Sequence, residues 1–242
     1  MILEIDVGNT RIKWRALQNG AICDRGALPN EEIEKWLGVM GQQKVPDKIR
    51  LCCVANRDIV KKLAEQVSRW GCLLQEAKTS HDAAGVRCGY DDPGTLGVDR
   101  WLAVVAAFSE FGRPCVVVDA GSAVTVDLVD GDGQHLGGYI VPGLGMMRQS
   151  LFEGTSQVKV ADFAAVSVGP GCSTKQAVAN GSLLMIKGMV ESAAELLKSE
   201  IGPAQIVITG GDGDYLMKVL GDHVCYLPEL VMDGLVLVVP EE

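Results

Sequence analysis

The chain has no CxxC pair, no cluster of lysine and arginine, and no apolar run long enough to span a membrane. Each absence removes a class of protein. The eight cysteines, Cys23, Cys52, Cys53, Cys72, Cys88, Cys115, Cys172 and Cys225, form no regular disulfide framework. That usage fits a reducing compartment, with most thiols serving as small buried apolar residues. Acidic residues outnumber basic ones by 31 to 22, for a net charge of −9, so a nucleic-acid backbone finds no basic surface to bind. An anionic ligand would have to be held by local backbone amides and a cation. The longest apolar runs, such as LVLVV at 235–239, are far too short for a bilayer, and Glu4 and Asp6 interrupt what would be the core of a signal peptide. The expected location is the cytoplasm. The three histidines, His81, His135 and His223, are scattered, without metal-ligand spacing or a partner nucleophile, and read as surface or loop residues.

What is present is a globular composition: 48% hydrophobic residues is too apolar for disorder, and 22% charged residues keeps the chain soluble. A length of 242 residues permits one large domain or two smaller ones sharing an interface. The opening reads as a β-meander: MILEID, a polar turn VGNT, the alternating strand RIKWRAL with Ile12, Trp14 and Ala16 on one face, a turn at 18–20, and AICDRGAL. Helices are expected at 30–43 and 57–70, flanking a buried strand KIRLCCVAN. Residues 80–98 form a glycine-rich loop with Gly85, Gly89, Pro93, Gly94 and Gly97, and loops of that length inside a compact domain are usually functional or disordered. An apolar helix at 101–111 precedes a return of the opening pattern: CVVVDA, GSA, VTVDLVD, GDG, QHLGGYIVPG. Helices at 144–153 and 174–199, the strand QIVITGG, the helix DYLMKVL and an apolar tail complete the expected order.

The two meanders place Asp6 and Asp119 at equivalent positions 113 residues apart. A strand ending in Asp-x-Gly and turning tightly exposes backbone N–H groups, and glycine lets a ligand approach them. The carboxylate at the strand end can hold a hydrated cation against phosphate oxygens. An ordinary hairpin turn has the same local composition, but duplication in two halves favours a phosphate clamp.

Asp6-Val7-Gly8-Asn9-Thr10 with Lys13, Gly97-Val98-Asp99-Arg100-Trp101, Asp119-Ala120-Gly121-Ser122-Ala123 with Thr125 and Asp127, and Gly210-Gly211-Asp212 together resemble the type III pantothenate kinases. The resemblance runs through nearly the whole chain. It implies an α/β fold of duplicated actin-like (ribonuclease H-like) lobes, each with a central mixed sheet, with a nucleotide cleft between them. The expected lobes are 1–105 and 106–242, with the last helix packing back on the first. By the same resemblance, Asp6, Val7, Gly8, Asn9, Thr10, Arg11, Ile12 and Lys13 would bind ATP phosphates, with Asp6 serving Mg²⁺. Gly121 and Ser122 would contact phosphate from the facing turn, and Asp119 would serve a potassium or ammonium ion. Gly210 and Gly211 would lie against the adenosine. The family more often has threonine where Ser122 stands, and serine keeps the hydroxyl.

The resemblance also makes Asp99 the base that accepts the proton of the attacking hydroxyl, and makes Gly97, Val98, Asp99, Arg100, Tyr90 and Thr174 the pantothenate site, with Arg100 reaching the substrate carboxylate through its planar fork. On local grounds Asp99 also fits the N-cap of a helix starting at Arg100, Thr174 fits the N-cap of the next long helix, and Tyr90 fits a half-buried loop aromatic. Met146 and Met147, after Gly143 and Gly145, fit either a close approach at the cleft or plain packing. The implied activity is ATP-dependent phosphorylation of pantothenate to 4′-phosphopantothenate by a homodimer. A non-catalytic accessory protein of the same fold and an actin-like ATPase are the rivals, and retention of Asp6, Lys13, Asp99 and Arg100 together argues for the kinase.

Overall fold

The computed structural model describes residues 1–43, 45–54, 57–154, 167–221 and 223–240. Its framework is one unit built twice. In the first unit β1 (Ile2–Val7), β2 (Arg11–Gln18) and β3 (Ala21–Pro29) form the antiparallel meander, and β4 (Lys48–Cys53) and β5 (Leu73–Glu76) extend it in parallel on the far side of β1, in the order β3-β2-β1-β4-β5. After short pieces β6 (Asp82–Ala83) and β7 (Val86–Arg87), the second unit repeats this order. Its strands β8 (Cys115–Ala120), β9 (Ala123–Val129), β10 (His135–Pro142), β11 (Gln205–Thr209) and β12 (Val224–Tyr226) run β10-β9-β8-β11-β12. The short strands β5 and β12 have no counterpart in the sequence-based expectation, because at four and three residues they carry too little periodicity to stand out.

Alternation along the strands decides what lies on each face. In β1, Leu3, Ile5 and Val7 are fully buried against α1 (Ile33–Gln43), entered through a 3₁₀ turn at Asn30–Glu32, and α2 (Arg57–Trp70), whose Ile59, Leu63 and Val67 recur at helical spacing. In β8 the corresponding Val116, Val118 and Ala120 pack under α5 (Thr174–Glu200) and α6 (Gly213–Leu220), with α4 (Leu144–Gly154) contributing Leu144. The opposite faces of the two sheets look inward, and Glu4, Asp6 and Asp119 project from them.

Between the sheets lie α3 (Val98–Phe111) and α7 (Leu230–Val238), the last helix of each unit. The apolar tail expected at the C-terminus is therefore a helix. Its burial comes from an exchange: α3 packs against β8 and β9 of the second sheet, while α7 packs against β1 and β4 of the first. The two helices cross at Gly234, where an added Cβ would stand 2.2 Å from the Leu102 carbonyl oxygen. Trp101, Leu102, Val104 and Val105 of α3 and Leu230 and Leu235 of α7 make the central core. Cys52, Cys53 and Cys115 are buried, Cys72, Cys88 and Cys225 half-buried, Cys23 and Cys172 exposed, and none of the eight forms a disulfide. Among the described residues no helix is long and apolar enough to cross a membrane.

A buried ion network pins α7 to the first sheet. Glu4 accepts from Arg15 Nε at 2.5 Å and Arg50 Nη1 at 2.7 Å, and Arg15 Nη1 reaches on to Asp233 at 2.7 Å and Glu229 at 3.1 Å, both at the start of α7. Glu4, Arg15 and Arg50 are at most 3% exposed. Such a network is retained for geometry more than for net stability, but removing one charge from inside it is costly. Glu4→Gln should lower unfolding stability by about 3 kcal/mol at neutral pH, read from the urea midpoint at unchanged slope.

Candidate active site

Both Asp-x-Gly turns stand at the ends of central strands and face each other. In the first, the Gly8 N–H donates to the Arg11 carbonyl at 3.1 Å, and Asp6 lies beside Lys13 in the β1–β2 register. In the second, the Gly121 N–H donates to the Ala123 carbonyl at 3.0 Å, and Asp119 lies between Thr125 of β9 and Thr209 of β11. The tips touch: Thr10 Oγ1 and Ser122 Oγ are 2.7 Å apart, although 112 residues separate them in sequence. Behind Ser122, Gly143 closes the turn, its N–H donating to the Ser122 carbonyl at 3.0 Å where a Cβ would come within 2.5 Å of that same oxygen. The exposed Met146 and half-buried Met147 follow in α4, Met147 against the second core.

Gly210 leaves β11 at φ +90°, and a Cβ there would lie 2.4 Å from both the Ala120 carbonyl and Asp119 Oδ1. Only glycine fits. Gly210 and Gly211 line a cavity of about 290 Å³ whose other walls include Asp6, Lys13, Trp14, Tyr226 and Glu229. Trp14, Tyr226 and Glu229 carried no functional signal in sequence, since only the packing of β12 and α7 beside β2 brings the three together at the cleft. The Tyr226 hydroxyl donates to the Gly210 carbonyl at 3.0 Å and so braces the glycine turn.

The charge balance of the cleft favours a cation. Burial pushes the Asp6 carboxyl well above its ordinary 3.8, to about 6; Lys13 opposes this, while Asp99 and Asp119 add to it. Asp119 is likewise pushed up to about 6 by burial, against Lys13 and with Asp99. Asp6 and Asp119 thus share one lysine, and Asp99 adds a third negative charge beside them. Below Asp6 the buried Cys52 thiol is hydrogen-bonded to its carboxyl and is held protonated, its own ionisation pushed well upward by burial and by Asp6. Among the described residues no three His, Cys, Asp or Glu side chains converge to hold a metal by themselves. The set suits a hard cation that takes one carboxylate and completes its shell with water or ligand oxygens.

Asp99 stands in the first turn of α3. It is not the N-cap: the helix begins two residues earlier than expected, at Val98 with Gly97 at the cap, and Asp99 Oδ1 accepts from the Arg100 N–H at 2.8 Å. A Cβ on Gly97 would lie 2.8 Å from Asp99 Oδ1, so glycine makes room for the carboxylate. Burial raises the Asp99 carboxyl, with Asp127 adding to it and the Arg100 backbone and guanidinium opposing. Val98, beside it, is half-buried and packs on the central core.

Arg100 differs from expectation. Its fork is already engaged: Nε donates to Asp127 Oδ2 at 2.9 Å and Nη2 to Asp127 Oδ1 at 2.5 Å, while Nη1 donates to the Tyr90 hydroxyl at 3.0 Å. Two of its five N–H groups remain for any further partner. His135, expected at the surface, is 1% exposed, with Nε2 3.0 Å from Asp127 Oδ1 and its ring stacked on Tyr90 at a centroid distance of 5.9 Å. A lone histidine among apolar neighbours gave no hint of this, because its partner lies on the adjacent strand. Thr174 is exposed, and the cap of α5 is its neighbour Ser173, whose Oγ accepts from the Gln176 N–H at 3.2 Å while Gln176 Oε1 accepts from the Cys172 N–H at 2.9 Å. Asn9 and Arg11 are exposed at the tip of the first turn, whereas Val7 and Ile12 are buried beneath it.

Two units of identical strand order, with exchanged last helices and paired Asp-x-Gly turns over a carboxylate cluster, define the two-lobed actin-like class. A chain from Campylobacter jejuni named as a Baf family transcriptional activator shares the fold, at TM-score 0.61 and 24% identity over 97% of this chain and 96% of that one. Within the class, this chain belongs to the type III pantothenate kinase family, whose profile matches residues 2–195. Type III pantothenate kinases of Pseudomonas aeruginosa (strain LESB58) and Azotobacter vinelandii (strain DJ) are 38% and 36% identical, over 100% and 99% of both chains respectively.

The raised carboxyls have a consequence for stability. A carboxyl that ionises less readily in the folded chain than in the unfolded one is a cost that appears as pH rises from about 4 through about 6 and persists above it. Without divalent cations, Asp6→Asn should therefore be more stable than the wild type at pH 7 by about 3 kcal/mol and nearly indistinguishable from it near pH 4, as read by urea unfolding at the two pH values.

Proposed function

We propose that the chain phosphorylates the primary hydroxyl of pantothenate with ATP, giving 4′-phosphopantothenate, the first step toward coenzyme A. Family membership over the full length supports the reaction, and one observation carries the assignment of roles: Asp99, at a fixed helix start, shares the electrostatic cluster of Asp6, Asp119 and Lys13 between the two turns.

In this reading the ATP phosphates lie between the turns, over the segment from Gly8 to Lys13 and beside Gly121 and Ser122, with the nucleoside in the cavity at Gly210 and Gly211. Asp6 would hold Mg²⁺ and Asp119 a potassium or ammonium ion; bound there, the cations neutralise charge on the phosphate oxygens. Lys13 supplies the protein's own positive charge at the same place. Asp99 orients the acceptor hydroxyl and takes its proton as the oxygen bonds to the γ-phosphorus and the ADP oxygen leaves. Its burial favours that role, since a carboxylate shielded from water is a stronger acceptor than an exposed one. The remaining N–H groups of Arg100 and the region of Tyr90 receive the pantothenate, with Gly97 and Val98 forming the backbone edge.

The working form in this reading is a cytoplasmic homodimer, a compartment consistent with eight cysteines that form no disulfide. Tyr139 and Ile140 of β10, Met146 and Phe152 of α4, and Leu184 and Met185 of α5 are exposed apolar side chains on elements that touch one another. A second copy over this surface would bury them, and Thr174 stands exposed at the start of α5 where a partner's pocket could use it.

ADP release in the presence of Mg²⁺ should depend on pantothenate and should be faster in potassium than in sodium. Absence of pantothenate-dependent turnover in potassium overturns the reading. Asp99→Asn should fold and bind ATP with near-normal affinity, yet lose about 10²–10⁴-fold in transfer; near-normal turnover would leave Asp99 a helix-start residue only.

A further inference from the structure

His135 is a buried titratable side chain for which the proposed reaction has no use, and its contacts all lead to the acceptor side of the cleft. Nδ1 accepts from the Gly89 N–H at 3.4 Å. A backbone N–H can only donate, so the ring proton sits on Nε2 and is given to Asp127 Oδ1 at 3.0 Å. The same Asp127 oxygen accepts from Arg100 Nη2, and the other accepts from Arg100 Nε. The flat of the ring meets Tyr90 at an interplanar angle of 14°, and the Tyr90 hydroxyl accepts from Arg100 Nη1. The contacts close a ring: His135, Asp127, Arg100, Tyr90, and back through the stack.

The surrounding backbone leaves no slack in it. A Cβ on Gly89 would lie 1.9 Å from the His135 carbonyl oxygen, and one on Gly138 would lie 2.6 Å from Asp127 Oδ1 and 2.9 Å from Arg100 Nη2. The loop carrying Tyr90 is also tied to the second unit by the Arg87 N–H, which donates to the Gly133 carbonyl at 2.8 Å. The loop belongs in sequence to the first unit, so its position relative to Asp99 is set by β9 and β10 of the second.

We propose that His135 is a positioning residue for the acceptor: it holds Asp127 against the Arg100 guanidinium and holds Gly89–Tyr90 against the same group, so that the free N–H groups of Arg100 and the Tyr90 ring present one surface to the substrate. The proposal rests on the reading of the site given above. His135 touches no reacting atom in it and acts on acceptor binding through Arg100 and Tyr90.

Steady-state kinetics with pantothenate and ATP varied separately test it. His135→Ala and His135→Phe should raise the pantothenate KM by about ten- to a hundred-fold, with the ATP KM and kcat within about threefold of wild type. His135→Gln, whose amide nitrogen can still donate to Asp127, should recover part of the loss. An unchanged pantothenate KM, or equal rises for both substrates, overturns the proposal. If the Ala and Phe variants do not fold, ¹⁵N spectra of the wild-type imidazole decide: a protonated Nε2 with an acceptor Nδ1 supports the bridge, and the opposite tautomer refutes it. A wild-type protein that ignores pantothenate would instead refute the acceptor assignment, and the tautomer reading would be unaffected.

Discussion

The crossing of α3 and α7 is the contact on which the cleft depends. Each helix belongs by sequence to one unit and packs against the sheet of the other, so the pair acts as a double strap between the sheets. Gly234 lets the backbones approach to van der Waals distance at Leu102, and the start of α3 then lies where the ends of β1 and β8 converge. Asp99 is in that first turn and Glu229 and Met232 are at the start of α7, so the strap that joins the units also furnishes two walls of the site. Displacing either helix would move a wall of the cleft and the core at once.

Charge is distributed to match. Inward-facing positions of the sheets hold Glu4, Asp6, Asp119 and Asp127, four carboxylates treated in different ways. Glu4 and Asp127 are neutralised by arginines in dry, bonded pairs and act as structural pins. Asp6 and Asp119 have only Lys13 between them and are pushed up toward neutral pH by burial. A pin is satisfied within the protein, whereas an unsatisfied carboxylate leaves charge for a ligand to complete. That contrast separates structural acids from candidate functional ones without reference to any relative.

The sequence made the duplicated meander legible because alternation and Asp-x-Gly turns are local signals, and both sheets follow it closely. The caps were less legible. Gly97 and Ser173, rather than Asp99 and Thr174, occupy the cap positions, since a shift of one or two residues at a helix start leaves composition nearly unchanged and alters only which N–H is left over. What local reading could not supply were the long-range partners: the Thr10–Ser122 contact, the Asp127–His135 bridge and the cavity walls Trp14 and Tyr226. Asp127 stood in a recognisable motif, but nothing local distinguished a carboxylate that grips Arg100 from one that faces solvent.

The gripped Arg100 alters how specificity for an acceptor can arise. An arginine free to swing would pay side-chain entropy on each binding event and could follow anions of several shapes. Held by Asp127 and Tyr90, it has its guanidinium plane set before any ligand arrives, at the cost of offering two N–H groups instead of five. Fewer donors in a fixed direction bind a generic anion less well and a matching one with less loss. Since the net charge is −9, which disfavours anions at a distance, recognition of an anionic substrate must be won at short range, and a preorganised donor pair at the foot of α3 is where the fold can provide it.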